Sequence, residues 1–428
     1  MLFLRFRIGI VAYLAYIFLV PYMKIPISGF VLEWNFMNLL LLVAFFYNLY
    51  RNGGKFIKYD WRPLYPFVLY FGVSLILMPF QDGVPFFSAL NAWRMSFMKC
   101  LILPFVIWYD IQADSTSVKL YRNVTIGCIV IAALYGLYLT TMPGFNPYMS
   151  AISFLNGREF NLAYAAGNSS LTDNTILSDD RLFGRICSVF SHPMTFGLFL
   201  GFALLYVYRN RSNLANWLFY GLTFLILTNI VVCGVRSVIG ATFIAILFLL
   251  LQSRNFASFM SAALGGIFIW YVVSANPILS NFFSSITDMT SSNVQGSSIE
   301  MRILQLEGCF EEIKNVLLEG KGFHWTGYYI LHHEEGHPTI LHFESLVFVI
   351  LCNSGLIGVL LWFLMGKKIF NYNNRKMRSA AALLNSLFVF YIAYACITGE
   401  YGYMQYFIIF YILTLGEHLY QERILCTP

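Results

Sequence analysis

Residues 345–366 read SLVFVILCNSGLIGVLLWFLMG, and Lys367 and Lys368 follow directly. The run contains no charged residue, and it is as long as the roughly 20 apolar residues that an α-helix needs to cross a bilayer. Lysines placed just beyond such a run are typical of loops that stay on the cytoplasmic side. This stretch therefore predicts a membrane-spanning helix with its end at Gly366.

The same pattern recurs along the whole chain. Of its 428 residues, 58% are hydrophobic and 11% are charged, whereas a soluble domain carries about 25% charged residues. The sequence therefore predicts an all-α, polytopic helical membrane protein. Its twelve predicted spans are 7–23, 30–50, 63–81, 92–110, 120–141, 186–208, 214–232, 236–252, 257–274, 345–366, 379–397 and 403–421.

Lysine and arginine collect in every second loop between these spans, as expected of cytoplasmic loops. Both termini are therefore predicted to be cytoplasmic. The net charge of +6 reflects this orientation, and nucleic-acid binding is not predicted. The basic loops contain Arg5 and Arg7; Arg51, Lys55, Lys58 and Arg62; Lys119 and Arg122; Arg209 and Arg211; Arg254; Lys367, Lys368, Arg375, Lys376 and Arg378; and Arg423.

The spans divide the chain into five regions. These are an N-terminal bundle (1–141), a first long outer loop (142–184), a transmembrane core (185–274), a large outer loop (275–344) and the C-terminal spans (345–428).

The large outer loop is predicted to contain an amphipathic helix. Ser297 and Glu300 have the spacing of a capping box, and Gly320 and Gly322 are expected to end the helix. Its apolar stripe is predicted to lie against lipid or against other spans. The residues that recur at helical spacing are Ile299, Ile303, Leu306, Phe310, Ile313 and Leu317.

Three arginines lie on the outer side, against the general charge pattern. Arg185 opens a span that carries His192 and Pro193 about two turns inside, Arg236 opens another after a very short turn, and Arg302 lies in the first turn of the loop helix. A cation held at the membrane edge is costly and usually functional, so these residues are predicted to bind an anionic, membrane-borne substrate. The alternatives are a snorkelling side chain beside a kink for Arg185, an interfacial anchor for Arg236 and an exposed surface residue for Arg302.

The end of the large loop is rich in titratable groups. Five of the seven histidines lie between residues 324 and 342, and Glu344 stands where the chain re-enters the membrane. A carboxylate partly removed from water is a candidate general base, with His342 and His337 as supporting or alternative groups. The other interpretation of Glu344 is a solvated carboxylate that a helix dipole stabilises.

Neither a metal site nor a redox pair is predicted. His333 and His337 fit the H-E-x-x-H pattern of zinc proteases, but Gly336 and Pro338 predict a turn where that site needs a continuous helix. The eight cysteines lie mostly in apolar segments without a Cys-x-x-Cys pair, so we expect them to act as small buried hydrophobic residues. No cofactor is therefore predicted.

Three segments together resemble the bacterial O-antigen polymerase and O-antigen ligase superfamily. They are Arg185 to Gly197; Gly234-Val-Arg236-Ser237; and Arg302 through Gly320-Lys-Gly322, followed by Glu344-Ser345 and Asn353-Ser-Gly355-Leu-Ile-Gly358. The resemblance covers about residues 185–365. The rest of the chain is similar to this family in its topology alone.

The resemblance implies glycosyl transfer outside a bacterial inner membrane, with glycans on undecaprenyl pyrophosphate as substrates. Arg185 and Arg236 would bind the pyrophosphate, with Arg302 as a further candidate, and guanidinium groups suit phosphate oxygens. No metal would then be required. A chain-length regulator and a flippase would be the protein partners, and membrane lipid would surround the enzyme.

The resemblance does not separate polymerase from ligase completely. Ligases of this superfamily carry a His-Asn pair where this sequence has Glu344 and Ser345, and the Glu-Ser form looks more like the polymerases. A polymerase that uses Glu344 as the base is therefore the first hypothesis, and a ligase is the second. A lipid-linked glycan transporter, with Lys99 inside a span, is the third, and a zinc peptidase is the fourth.

Overall fold

The chain forms a bundle of helices. The computed structural model describes residues 5–20, 25–27, 30–32, 34–51, 53, 59–142, 146–153, 186–253, 299–333, 336–399 and 403–426. Their helices are α1 (Phe6–Leu19), α2 (Trp34–Arg51), α3 (Tyr65–Leu77), α4 (Phe86–Ala113), α5 (Ser117–Leu139), α6 (Pro147–Ser153), α7 (Pro193–Arg209), α8 (Asn216–Val232), α9 (Arg236–Ser253), α10 (Ile299–Ile313), α11 (Trp325–His332), α12 (Leu346–Lys376), α13 (Ala381–Thr398) and α14 (Met404–Cys426).

Three short elements complete the described structure. Single 3₁₀ turns follow α3 (Met78–Phe80) and α7 (Arg211–Asn213). An antiparallel hairpin of β1 (Ile25–Ile27) and β2 (Phe30–Leu32) joins α1 to α2. The hairpin was not predicted, because the span expected at 30–50 includes its second strand.

The helices confirm the predicted helical class. Four of them, α4, α5, α12 and α13, are long and apolar enough to cross a membrane, and six shorter apolar helices accompany them in the described part of the chain. Each span predicted within the described residues coincides with a helix, although α12 continues ten residues past the predicted end at 366. The span at 257–274 lies outside the described residues, so the total of twelve spans remains a prediction.

Helix α14 lies at the centre of the bundle. Residues 403–418 are all buried, and the helix packs against α4, α5, α7 and α13. Phe407 stacks on Tyr391 of α13 with ring centroids 5.2 Å apart, and Phe410 stacks on Phe202 of α7 at 5.6 Å. A helix that is largely apolar on every face is suited to a position without a solvent side, which accounts for its place in the core.

Loops that were predicted to be cytoplasmic meet at one end of the bundle, which we call the basic end. Side chains from distant helices pair there, as the predicted alternation of spans requires. The defining contacts are Arg7–Asp110 (3.1 Å), Arg122–Glu417 (3.2 Å), Tyr372–Asp60 (3.5 Å) and Arg209–Gln421 (2.7 Å). The opposite end, where α12 begins and α13 ends, is called the site end below.

Helix α12 is broken near the site end at Gly355. This residue has φ +58° and ψ −153°, a backbone conformation that is essentially restricted to glycine. The break separates residues 346–354 from residues 356–376. It frees amide and carbonyl groups that a continuous helix would pair, and such groups must find partners within the protein when lipid surrounds it.

Residues 317–322 fill this break. Gly320, with φ +71°, approaches so closely that a Cβ atom there would lie 2.5 Å from the amide nitrogen of Gly355. The two glycine motifs therefore form one packed unit, which we call the glycine junction. Its four backbone hydrogen bonds run from Leu356 N to Leu317 O (2.9 Å), from Ile357 N to Leu318 O (3.0 Å), from Lys321 N to Cys352 O (2.8 Å) and from Gly322 N to Asn353 O (3.1 Å).

Two further predicted helix boundaries were wrong. Pro193 begins α7 instead of lying two turns inside it, because proline suits the first turn of a helix, and the ring nitrogen Nδ1 of His192 accepts the amide of Met194 at 3.1 Å. The loop helix α10 ends at Ile313 and does not reach Gly320, because the chain leaves the helix to fill the break in α12. Ser297, the proposed capping residue, lies outside the described residues.

Candidate functional site

The Arg302 side chain joins three segments at the site end. Nη1 donates to the backbone carbonyl of Glu344 and to Oε1 of Gln305 (3.3 Å), while Nη2 donates to Oε2 of Glu344 (3.3 Å) and to the carbonyl of Ile397 (3.0 Å). Ile397 lies at the carboxyl end of α13, where the helix dipole favours a cation. Four of the five N–H groups of the guanidinium are thereby engaged, so the geometry favours positioning over phosphate binding for Arg302.

Burial lowers the pKa of Arg302, and the negative charge of Glu344 opposes this shift. An arginine begins from a pKa far above neutral, so the side chain remains charged at physiological pH. Cations are slightly unfavourable at the start of a helix, and here Glu344 and the carbonyl of Ile397 hold Arg302 in place.

The face of helix α10 that packs against the protein differs from the predicted apolar stripe, and Arg302 lies close to it. The residues turned towards the protein are Gln305, Cys309 and Ile313, each fully buried. Ile303 and Phe310, from the predicted apolar stripe, are 53% and 44% exposed. Two other residues of the stripe, Leu306 and Ile313, do pack against the protein. The stripe is therefore only partly covered, and its contact with lipid remains a prediction.

Glu344 stands directly before α12. Its side chain is 49% exposed, with Oε2 paired to Arg302, so the carboxylate is both open to a substrate and fixed in direction. The next residue, Ser345, caps α12 by accepting the amide of Val347 at 3.3 Å. The sequence predicted a carboxylate partly removed from water, and it did not predict the cation that pairs with it.

His337 has no ring nitrogen free for proton transfer. Nδ1 accepts the amides of Ile340 (3.1 Å) and Thr339 (3.3 Å), so the proton belongs on Nε2, which lies 3.3 Å from Oε2 of Glu312. This arrangement favours a structural role in the turn over the predicted role in catalysis. His342, the third candidate, is exposed near Glu344 in the chain.

Glu312 connects His337 to the glycine junction, a contact that the sequence did not predict. Its Oε1 lies 3.0 Å from Nζ of Lys321, and its Oε2 faces His337. Gln81 also binds the glycine junction, because its side-chain amide donates hydrogen bonds to the carbonyls of Glu319 and Asn353. In the sequence, Glu312 is one of several charged residues of a helix. Such residues are too common to single one out as functional.

The H-E-x-x-H segment is not a continuous helix. Helix α11 ends at His332, and Gly336 has φ +80°, which confirms the predicted turn. Glu334 and Glu335 lie outside the described residues. Elsewhere, the described part of the chain contains no group of three or more metal-binding side chains.

The two remaining arginines can be placed only in part. Arg185 lies outside the described residues. Arg236 begins α9 as predicted, with its backbone described and its side chain not. Gln252 near the end of α9 contacts Asn385 near the start of α13 at 3.3 Å, and the two helices pack closely against each other. They therefore run antiparallel, which puts the start of α9 at the site end.

No protein-family model matches the chain, and no curated protein matches it. The interpretation of this site therefore depends on its residues and their geometry.

Proposed function

We propose that this protein is a polymerase of undecaprenyl-pyrophosphate-linked oligosaccharide repeat units, such as those of O-antigen, capsule or exopolysaccharide. It would act at the outer face of a bacterial inner membrane, with both termini in the cytoplasm. The observation that carries the proposal is the half-exposed Glu344 carboxylate held by Arg302 at the site end. Support also comes from the glycine junction, because it joins two of the motifs that carry the family resemblance.

In the proposed reaction, Glu344 accepts the proton of a sugar hydroxyl on one lipid-linked glycan. That oxygen bonds to the anomeric carbon of the second glycan, while the bond from this carbon to pyrophosphate breaks. Undecaprenyl pyrophosphate leaves as an anion, and Arg185 and Arg236 would stabilise its charge, an electrostatic effect that often contributes most to catalysis. Arg302 would orient the base.

A ligase would use the same chemistry with a different acceptor, and no contact described above favours it. The transporter alternative draws on the broken helix α12, because transporters often bind substrates at such breaks. Here residues 317–322 already pair with the amide and carbonyl groups around the break. The break is therefore filled by the protein itself, which favours an enzyme over a transporter.

The experiment is a glycan ladder from cells that lack this protein, complemented with wild type, Glu344→Gln or Glu311→Gln. Glu311 is the matched control, because it is a carboxylate of α10 that is 76% exposed and pairs only with Lys314 among the described residues. We expect a single-repeat band with Glu344→Gln and a normal ladder with Glu311→Gln, at equal protein levels.

Other patterns would identify the alternatives. Long chains retained on the carrier lipid in the knockout would indicate a ligase. A knockout ladder identical to wild type would refute glycan polymerisation altogether, and a normal ladder with Glu344→Gln would remove this residue as the base.

A further inference from the structure

Two cysteines from different segments meet behind the candidate site. Cys309 lies on the protein-facing side of α10, and Cys352 lies three residues before the break in α12. Both residues are fully buried free cysteines, and their side chains are close enough to interact directly. The two helices pack against each other directly.

The surroundings of this pair hold it in place. The carbonyl of Cys352 accepts the amide of Lys321, one of the four hydrogen bonds of the glycine junction. Lys321 also pairs with Glu312, which lies three residues after Cys309 on α10. Both cysteines are therefore attached to elements that are already fixed relative to each other.

We propose that Cys309 and Cys352 form a disulfide that fastens the large loop to α12. This inference rests on the proposed function, which places residues 275–344, Cys309 among them, outside the inner membrane, where disulfides form and persist. Cys352 is the seventh residue of α12 and lies on the site-end side of the break. The bond would enclose residues 310–351, and this segment contains His337, His342 and Glu344. It would restrict the unfolded loop and hold the base in position relative to α12.

The oxidant would be a protein or small-molecule disulfide of the cell envelope. The thiolate of one cysteine attacks that disulfide, forming a mixed disulfide and releasing one thiol. The thiolate of the second cysteine then attacks the sulfur of the first, and a second thiol leaves. Two cysteine protons and two electrons are thereby transferred to the oxidant. Because both cysteines are buried in the folded protein, the exchange would take place before α10 packs on α12.

The test is alkylation of the purified full chain, denatured without reductant and then analysed by mass spectrometry. The chain has eight cysteines, so the disulfide leaves six to react before reduction and eight after it. The peptides that gain label on reduction should be those of Cys309 and Cys352. Alkylation of all eight cysteines without reductant would overturn the proposal.

Single substitutions supply the controls. Cys309→Ser should let all seven remaining cysteines react without reductant, whereas Cys128→Ser, in α5, should leave two of its seven protected. The protein is denatured before labelling, so every free thiol reacts whether or not a variant folds correctly. The wild-type count decides the proposal by itself. The glycan ladder tests the polymerase separately. If all eight cysteines react and the knockout shows only single repeats, the disulfide alone is refuted. If the disulfide is found and the knockout ladder is unchanged, the polymerase alone is refuted.

Discussion

Replacing Gly355 with alanine tests whether the glycine junction stabilises the fold. An alanine at φ +58° and ψ −153° adopts a conformation that costs about 1–3 kcal/mol. Its Cβ would also lie 2.5 Å from the carbonyl oxygen of Leu318 and 2.6 Å from that of Leu317. Both are backbone atoms, so the loop must move. Losing two of the four junction hydrogen bonds would add about 2 kcal/mol, for a total of roughly 3–5 kcal/mol.

The assay is thermal unfolding of the detergent-solubilised protein, with Gly240→Ala as the matched control. Gly240 lies inside α9, and no atom of a neighbouring element lies within 4 Å of the position that a Cβ would take there. Alanine at this position should therefore be neutral or stabilising by up to about 1 kcal/mol. We expect a Tm several degrees lower for Gly355→Ala alone. Equal Tm values for the two variants would refute the argument that the break depends on glycine.

Three further substitutions test other contacts by the same unfolding measurement. Arg302→Ala should destabilise the protein by about 2 kcal/mol, because its ties to α12 and α13 are replaced by water; an unchanged Tm would contradict this. Glu417→Gln should cost about 3 kcal/mol or more, because Arg122 loses the anionic partner of a buried pair; a loss below about 1 kcal/mol would argue against that pairing. The hydroxyl and amide of Thr116, together with Arg7, lower the pKa of Asp114, so its contribution to stability is present above about pH 4 and is lost as the pH falls through the lower folded pKa. Asp114→Asn should therefore flatten the fall in Tm between about pH 5 and pH 3, and parallel curves for the two proteins would refute this assignment.

The helices could be predicted from the sequence because each one is an apolar run of sufficient length. Helix α9 begins at Arg236 as predicted. The turn before it is very short, so the helix could start only within one or two residues of this position. The break in α12 could not be predicted. The run at 345–366 is uniformly apolar, and a glycine in such a run has no distinct local signal. Its conformation is set by residues 317–322, which are distant in the sequence.

The candidate site was predicted as a set of residues but not as an arrangement. Arg302 and Glu344 were both singled out, and the structure brings them into contact. Glu344 keeps its predicted role in the proposal, whereas Arg302 is better suited to positioning than to phosphate binding, because four of its N–H groups are engaged by the protein. Glu312 was missed, since its importance depends on the position of Lys321 in the fold.

Helix α14 follows in the chain every helix that it packs against, although it occupies the middle of the bundle. During synthesis, α4, α5, α7 and α13 are therefore inserted before the helix that fills the space between them. Until α14 arrives, these helices expose to lipid, or to a chaperone, the surfaces that will later cover it. A ribosome that stalls before residue 404 would therefore leave these four helices without the helix that they pack against. Quality control in the membrane could recognise such a chain by the polar groups that α14 otherwise covers, Arg122 among them.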